Sequence, residues 1–139
     1  MLDLTGKDTY KKLVVDSATG NEILLEHRLP TTEEEIDFQR RTFQRRGKKK
    51  ISPEDIVKNL TEVRIDFGMR ILTGFREGDL GRDGKPISAD VNSPGYDAGW
   101  KELLREKAPR IIAGLATAVF EGGRVVAAEE EDESPFQTS

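Results

Sequence analysis

Residues 52–71, SPEDIVKNLTEVRIDFGMRI, predict the main helix of the fold. Ser52 is a preferred N-cap, Pro53 takes the first helical position, and acidic residues fill the first turn. Apolar residues then recur three or four positions apart along one face, as in an amphipathic helix: Ile56, Leu60, Val63, Phe67 and Ile71. We expect this helix to run to about Gly74 or Gly78 and to bury that face.

The sequence before this helix predicts a β-hairpin over residues 9–29. In the first strand, Tyr10, Leu13 and Val15 alternate with polar or less apolar neighbours, and residues 23–25 are the apolar part of the second strand. A cluster of turn-forming residues lies between the two strands. An isolated hairpin is marginally stable in water, so we expect this one to pack on helices.

A shorter helix is predicted directly after Pro30. Thr32 followed three residues later by Glu35 matches a capping box, and neighbouring acids lie where the helix dipole favours negative charge. The apolar stripe of this helix is thin and consists of Ile36, Phe38 and Phe43.

The second half of the chain predicts a long loop and two further helices. The loop spans residues 78–96, and loops of this length in compact domains are usually functional or mobile. A short helix follows over about 97–107, and a separate helix begins at Pro109 because proline is disfavoured inside a helix. Gly122 and the glycine after it end this last helix.

The predicted fold class is α+β, mostly helical, with the N-terminal hairpin packed on three or four helices. We expect one domain over residues 9–126, preceded by a flexible N-terminus of residues 1–8. Residues 127–139 include five consecutive acids and few apolar side chains, so we expect a disordered acidic tail.

Composition narrows the classes of function. The chain has 139 residues and a net charge of −4. It has no cysteine, so thiolate metal sites and thiol nucleophiles are excluded. No apolar run approaches the roughly 20 residues that span a bilayer, and the N-terminus lacks a secretion signal. We therefore expect a cytoplasmic protein that does not enter membranes.

Sequence motifs for catalysis or for cofactor binding are weak, so we expect no enzyme and no cofactor. His27, the only histidine, lies between charged residues, and we expect it on the surface of the second strand. Residues 79–90 partly match a calcium-binding loop, with unsuitable residues at several ligand positions. The glycines of this region could also suggest a phosphate loop, but a Gly-rich turn is the simpler interpretation.

A basic segment lies at residues 40–50 and carries seven positive charges: Arg40, Arg41, Arg45, Arg46, Lys48, Lys49 and Lys50. It is interpreted as a solvated helix end, or as a patch that binds an acidic protein or nucleic acid. The overall acidity makes nucleic acid the less favoured of these partners.

Three stretches together resemble small structural-cluster proteins of tailed bacteriophages and prophages, particularly tail assembly chaperones. They are residues 28–35, Arg-Leu-Pro-Thr-Thr-Glu-Glu-Glu, residues 83–88, Asp-Gly-Lys-Pro-Ile-Ser, and residues 94–101, Pro-Gly-Tyr-Asp-Ala-Gly-Trp-Lys, leading to Pro109. The resemblance implies a non-enzymatic, largely helical protein of the bacterial host cytoplasm. It implies that the partners are the tape measure and tail tube proteins, and homo-oligomers are also possible.

A chaperone of this kind needs an apolar groove with a polar rim. Phe67, Ile71, Leu72 and Phe75 near the long loop are candidates for this groove, and Tyr96 and Trp100 are candidate anchors. Core packing is the favoured alternative for all six, because a small core needs every large side chain. Two other functions stay open. One is a connector or completion protein of the virion, and the other is a nucleic-acid-binding regulator that uses residues 40–50.

Overall fold

The computed structural model describes residues 9–43 and 52–122. Its elements in chain order are β1 (Tyr10–Val15), β2 (Glu22–His27), α1 (Thr32–Phe43), α2 (Pro53–Ile71), β3 (Leu72–Phe75), β4 (Gly81–Arg82), β5 (Lys85–Pro86), α3 (Trp100–Lys107), α4 (Pro109–Ala116) and a π-helical turn (Thr117–Glu121). The α+β class and the packing of an N-terminal hairpin on helices are confirmed.

The predicted hairpin is formed by β1 and β2, which pair antiparallel with Tyr10 opposite His27. Gly20 has φ of +80°, a conformation that glycine adopts without steric cost, where the chain reverses. The Asp16 carboxylate closes the turn by accepting from the backbone N–H of Ala18 at 3.1 Å. It also pairs with Arg110 of α4 at 2.6 Å, so the turn is tied to the helical layer.

The burial of side chains on the two faces of this hairpin differs from the prediction. The surface position predicted for His27 is wrong, because this residue is buried on the inner face beside Ile23 and Leu25. Leu13 and Val15 lie on the opposite face and are 51% and 58% exposed. The reason is the two-residue period of a strand, which puts residues 23, 25 and 27 on one side and their neighbours on the other.

The predicted end of the main helix is wrong. α2 stops at Ile71, and Leu72 already has extended dihedral angles, φ −69° and ψ 124°. The chain continues as β3 and pairs antiparallel with β2, so the sheet order is β1-β2-β3. The apolar spacing of α2 continues past Ile71 to Phe75, four residues later, and only pairing with a distant strand shows that the helix has ended.

α1 begins with the predicted motif, displaced by one residue. Thr31 Oγ1 accepts from the N–H of Glu34 at 3.1 Å, and the Glu34 carboxylate accepts from the N–H of Thr31 at 2.9 Å. This reciprocal pair is the capping box, so Thr31 rather than Thr32 is the N-cap. The guanidinium of Arg28 and the N–H of Thr31 lower the pKa of Glu34 to about 2.

α2 begins as predicted and then departs from the expected burial. Ser52 Oγ accepts from the N–H of Asp55 at 3.1 Å, which confirms the N-cap. Val63, Phe67 and Ile71 are buried, but Ile56 is 53% exposed. The first turns of α2 therefore extend past the core.

The helices pack on the inner face of the sheet. α2 and α4 approach so closely at Gly68 that a Cβ atom there would lie 2.5 Å from the carbonyl oxygen of Ile112. Phe38 of α1 stacks on Phe120 with ring centroids 4.7 Å apart, and Phe67 meets both rings edge-on. This aromatic cluster packs α1 against α2 and the π-helical turn.

Within residues 9–43 and 52–122, no helix combines the length and the apolar character needed to cross a bilayer. Three predicted features lie outside these ranges: the N-terminus of residues 1–8, the acidic tail of residues 127–139 and residues 44–50 of the basic segment.

Candidate protein-binding site

A cleft of about 420 Å³ lies between the β4–β5 hairpin and α3. Its walls are mainly apolar, and charged side chains stand among them. The apolar lining includes Leu80, Ile87, Trp100, Leu103 and Leu104, and the charged lining is Arg82, Asp83 and Lys107. We call this feature the α3 cleft.

One wall of the α3 cleft is a tight hairpin within the predicted loop of residues 78–96. Asp83 and Gly84 occupy the turn between β4 and β5, and both have positive φ, 53° and 79°. Two consecutive residues with positive φ are the mark of a type I′ turn, for which Asp-Gly is a preferred sequence. The Ile87 N–H donates to the Leu80 carbonyl at 3.0 Å, so the hairpin holds both apolar residues at its base.

The segment before α3 locks this hairpin in place. The Ser88 N–H donates to the Gly95 carbonyl at 2.9 Å, and the Asp97 N–H donates to the Ser88 carbonyl at 3.1 Å. Arg82 Nε donates to Asp97 Oδ2 at 2.6 Å. The Arg82 guanidinium and then the Gly99 N–H hold the pKa of Asp97 below its usual value. The carboxylate therefore stays ionised and keeps its bond to the hairpin across the physiological pH range.

The floor of the α3 cleft is fixed to the core. The Trp100 and Phe75 rings pack edge to face with centroids 5.2 Å apart. Lys101 Nζ donates to the carbonyl of Leu72 at 2.7 Å, and burial lowers the pKa of this amine. Both contacts join α3 to β3, so the floor is built on the packed part of the protein.

The structure separates the six residues that the sequence suggested as a groove. Phe67, Ile71 and Leu72 are fully buried and Phe75 is 5% exposed, so these four are core residues. Trp100 is 8% exposed and lines the α3 cleft, while Tyr96 is 40% exposed and is not among its lining residues. The six do not form one surface, and core packing, the alternative left open above, describes most of them.

Sequence reasoning did not identify the other apolar residues of the α3 cleft. Leu103 follows Trp100 by three positions and so shares its helical face, which is a signal the sequence does contain. Leu80 and Ile87 sit in a glycine- and proline-rich stretch without periodicity. The Asp83–Gly84 turn is a local signal, but the approach of Leu80 and Ile87 to α3 also depends on the Arg82–Asp97 pair, which joins residues 15 positions apart in the chain.

The described part of the basic segment is balanced by acids. Arg40 pairs with Asp37 at 2.6 Å, and Arg41 pairs with Asp66 at 2.7 Å. The remaining candidates of this segment lie outside the described residues: Arg45, Arg46, Lys48, Lys49 and Lys50. The part of α1 that is described therefore does not present an excess of positive charge.

Asp79, from the stretch considered for calcium binding, and Nδ1 of His27 both have structural partners. Asp79 Oδ2 accepts from the N–H of Leu24 at 2.8 Å, and the same carboxylate pairs with Arg76. His27 Nδ1 lies 2.8 Å from the carbonyl oxygen of Arg28; since a carbonyl only accepts, the nitrogen carries the proton. Burial lowers the pKa of His27. Within the described ranges, no group of three or more potential metal ligands is found.

Comparisons with family models, with curated proteins and with solved structures find no match to this chain. The resemblance to tail assembly chaperones therefore depends on the three stretches of sequence alone.

Proposed function

We propose that this protein acts by binding other proteins and that a partner inserts apolar side chains into the α3 cleft. Apolar walls with a few charged groups at the rim are the common composition of such sites. A volume of about 420 Å³ lies toward the lower end of the roughly 300–1,000 Å³ typical of binding pockets. This size suits one or two large side chains of a protein segment.

The positions of the stretches that resemble tail assembly chaperones support a more specific proposal. Residues 83–88 and 94–101 are joined by the bridge between Ser88 and Tyr96, and both contribute to the α3 cleft. Two of the three stretches that resemble tail assembly chaperones thus build one feature. We therefore propose that the protein is a tail assembly chaperone that keeps the tape measure and tail tube proteins soluble during assembly in the bacterial host cytoplasm.

The chemistry of the partner segment follows from the lining. Trp100 and Leu104 make the floor apolar, and Lys107 together with Asp83 places both signs of charge among the lining residues. We expect the tape measure protein to supply the segment, because a long helical protein presents apolar residues flanked by charges at helical spacing. Arg82 is held by Asp97 and acts mainly to keep the wall in position.

Co-expression tests this proposal. The tagged protein is produced together with a tape measure protein and a tail tube protein of a tailed bacteriophage, and the solubility and the retention of both partners are measured. Leu103→Arg places a charge in the α3 cleft at a partly buried position, so we expect at least a tenfold loss of retention. Val91→Arg is the matched control, since Val91 is 68% exposed and does not line the cleft.

Circular dichroism and the thermal midpoint are measured for both variants, and both are expected to match the unmodified protein. Equal retention of both variants would place the binding surface elsewhere, and retention of neither partner by the unmodified protein would contradict the chaperone function. Mass spectrometry of purified particles separates the chaperone from a virion connector, because a chaperone is absent from the finished particle.

A further inference from the structure

β1 is one of the two edge strands of the three-stranded sheet, and two of the three side chains on its outer face are apolar. Leu13 and Val15 on this face are 51% and 58% exposed, and Leu24 of β2 lies directly opposite Leu13. Among the residues that the structure describes, no strand pairs with the far side of β1. Exposed edges of this kind are sites where a further strand can add.

The backbone direction of β1 shows which groups face the edge. The N–H of Leu24 donates to Asp79, and its carbonyl accepts from the N–H of Arg76, so both groups of Leu24 point toward β3. Leu13 opposite it therefore belongs to a non-hydrogen-bonded pair and turns its own N–H and C=O away from β2. Because residues two positions apart in a strand point the same way, the backbone N–H and C=O of Lys11 and of Val15 also face away from β2.

We propose that β1 pairs antiparallel with β1 of a second copy of this chain, centred on Leu13. In this register Leu13 faces Leu13 of the second copy, and Lys11 faces Val15 of the second copy on either side. Each of these three pairs exchanges two backbone hydrogen bonds. The result is a continuous sheet of six strands with the two β1 strands at its centre.

The side chains favour a second copy as the occupant. The central row across the outer face becomes Leu24, Leu13, Leu13 and Leu24, four apolar side chains from four neighbouring strands. The flanking rows each read Glu26, Lys11, Val15 and Glu22, so a lysine lies beside an acid and no like charges lie directly opposite. The surface is thus complementary to itself in apolar character and in charge.

Neighbouring registers are less favourable. A shift by one residue toward the N-terminus puts Lys12 opposite Lys12 of the second copy, which is destabilising. A shift by one residue toward the C-terminus pairs Lys11 with Ser17. Ser17 lies in the hairpin turn, so two hydrogen-bonded residue pairs form between the β1 strands in place of three. The register centred on Leu13 pairs all three outward-facing residues of β1 with one another.

Single cysteines test the register directly, because the chain has none of its own. Paired α-carbons across a hydrogen-bonded antiparallel pair are about 5.5 Å apart, within the roughly 4.4–6.8 Å that a disulfide spans. We expect Leu13→Cys to form a disulfide-linked dimer under mild oxidation. Val15→Cys is the control, because its two copies would lie four residues apart along the strands, about 13 Å, too far to link.

Sedimentation velocity tests the same dimer without a covalent bond. The unmodified protein of 15.6 kDa should approach twice that mass as its concentration rises, and Leu13→Lys should remain monomeric. Leu29→Lys is the matched control, since Leu29 is 49% exposed and lies beyond the end of β2; it should behave like the unmodified protein. A monomer at every concentration would overturn the proposal. Loss of the dimer in Leu29→Lys, or equal disulfide linking in Leu13→Cys and Val15→Cys, would also overturn it.

Discussion

The buried imidazole of His27 makes the stability of the fold depend on pH near neutrality. Its Nδ1 donates to the backbone at Arg28, and its Nε2 has no partner among the described residues. Burial is the main reason that its pKa lies below the ordinary value, and the positive charge of Lys12 lowers it further. The folded state therefore binds a proton at this site less readily than the unfolded state does.

The sign of the effect follows from that difference. The contribution of neutral His27 to stability is fully present above its unfolded pKa, about 6.5, and is lost as the pH falls through the folded-state pKa. We expect the free energy of unfolding in urea to fall between about pH 7.5 and 5.5, and His27→Leu to show a smaller fall. Equal pH slopes for both proteins would contradict this role.

The burial of His27 could have been predicted from the sequence by a different rule. Its charged neighbours suggest the surface, yet residues 23, 25 and 27 share one face of β2, and the first two are apolar. A strand's two-residue period is a stronger guide to burial than the polarity of adjacent residues. The same rule places Leu13 and Val15 together on the opposite face, where the structure has them.

At the scale of elements, the start of α1 gives a clean comparison between two neighbouring threonines. Thr31 is the N-cap, and Thr32 is exposed in the first turn. Thr31→Ala should lower the free energy of unfolding by about 1 kcal/mol, because the Glu34 N–H loses its acceptor. Thr32→Ala is the matched control and should change it by less than about 0.5 kcal/mol. Chemical denaturation measures both, and a larger effect at Thr32 would contradict the assignment.

Helix starts are better predicted than helix ends in this chain. Ser52 and Pro53 mark the start of α2 through local chemistry, and Pro109 does the same for α4. The end of α2 carries no such mark. Residues 72–75 join the sheet because β2 offers hydrogen-bonding partners, and a neighbour about 50 residues away in the chain cannot be read from a local pattern.

At the scale of the whole molecule, the fold class could be predicted from the sequence, and the candidate site could not. Amphipathic spacing and turn residues suffice for the hairpin and for most of the helices. The α3 cleft depends on the approach of the β4–β5 hairpin to Trp100 and Leu103, held by the Arg82–Asp97 pair. Large aromatic residues such as Phe67 suggest a binding surface, but a small domain uses most of its large side chains in the core.

Hydrogen–deuterium exchange of the protein with and without the tape measure protein tests the central claim most directly. Backbone amides are compared in the free and the bound protein, with the first turns of α2 as an internal reference. Partner binding at the α3 cleft predicts slower exchange in residues 80–87 and 100–107, and unchanged exchange in residues 54–60. Protection confined to other parts of the chain, with residues 80–87 and 100–107 unchanged, would contradict it.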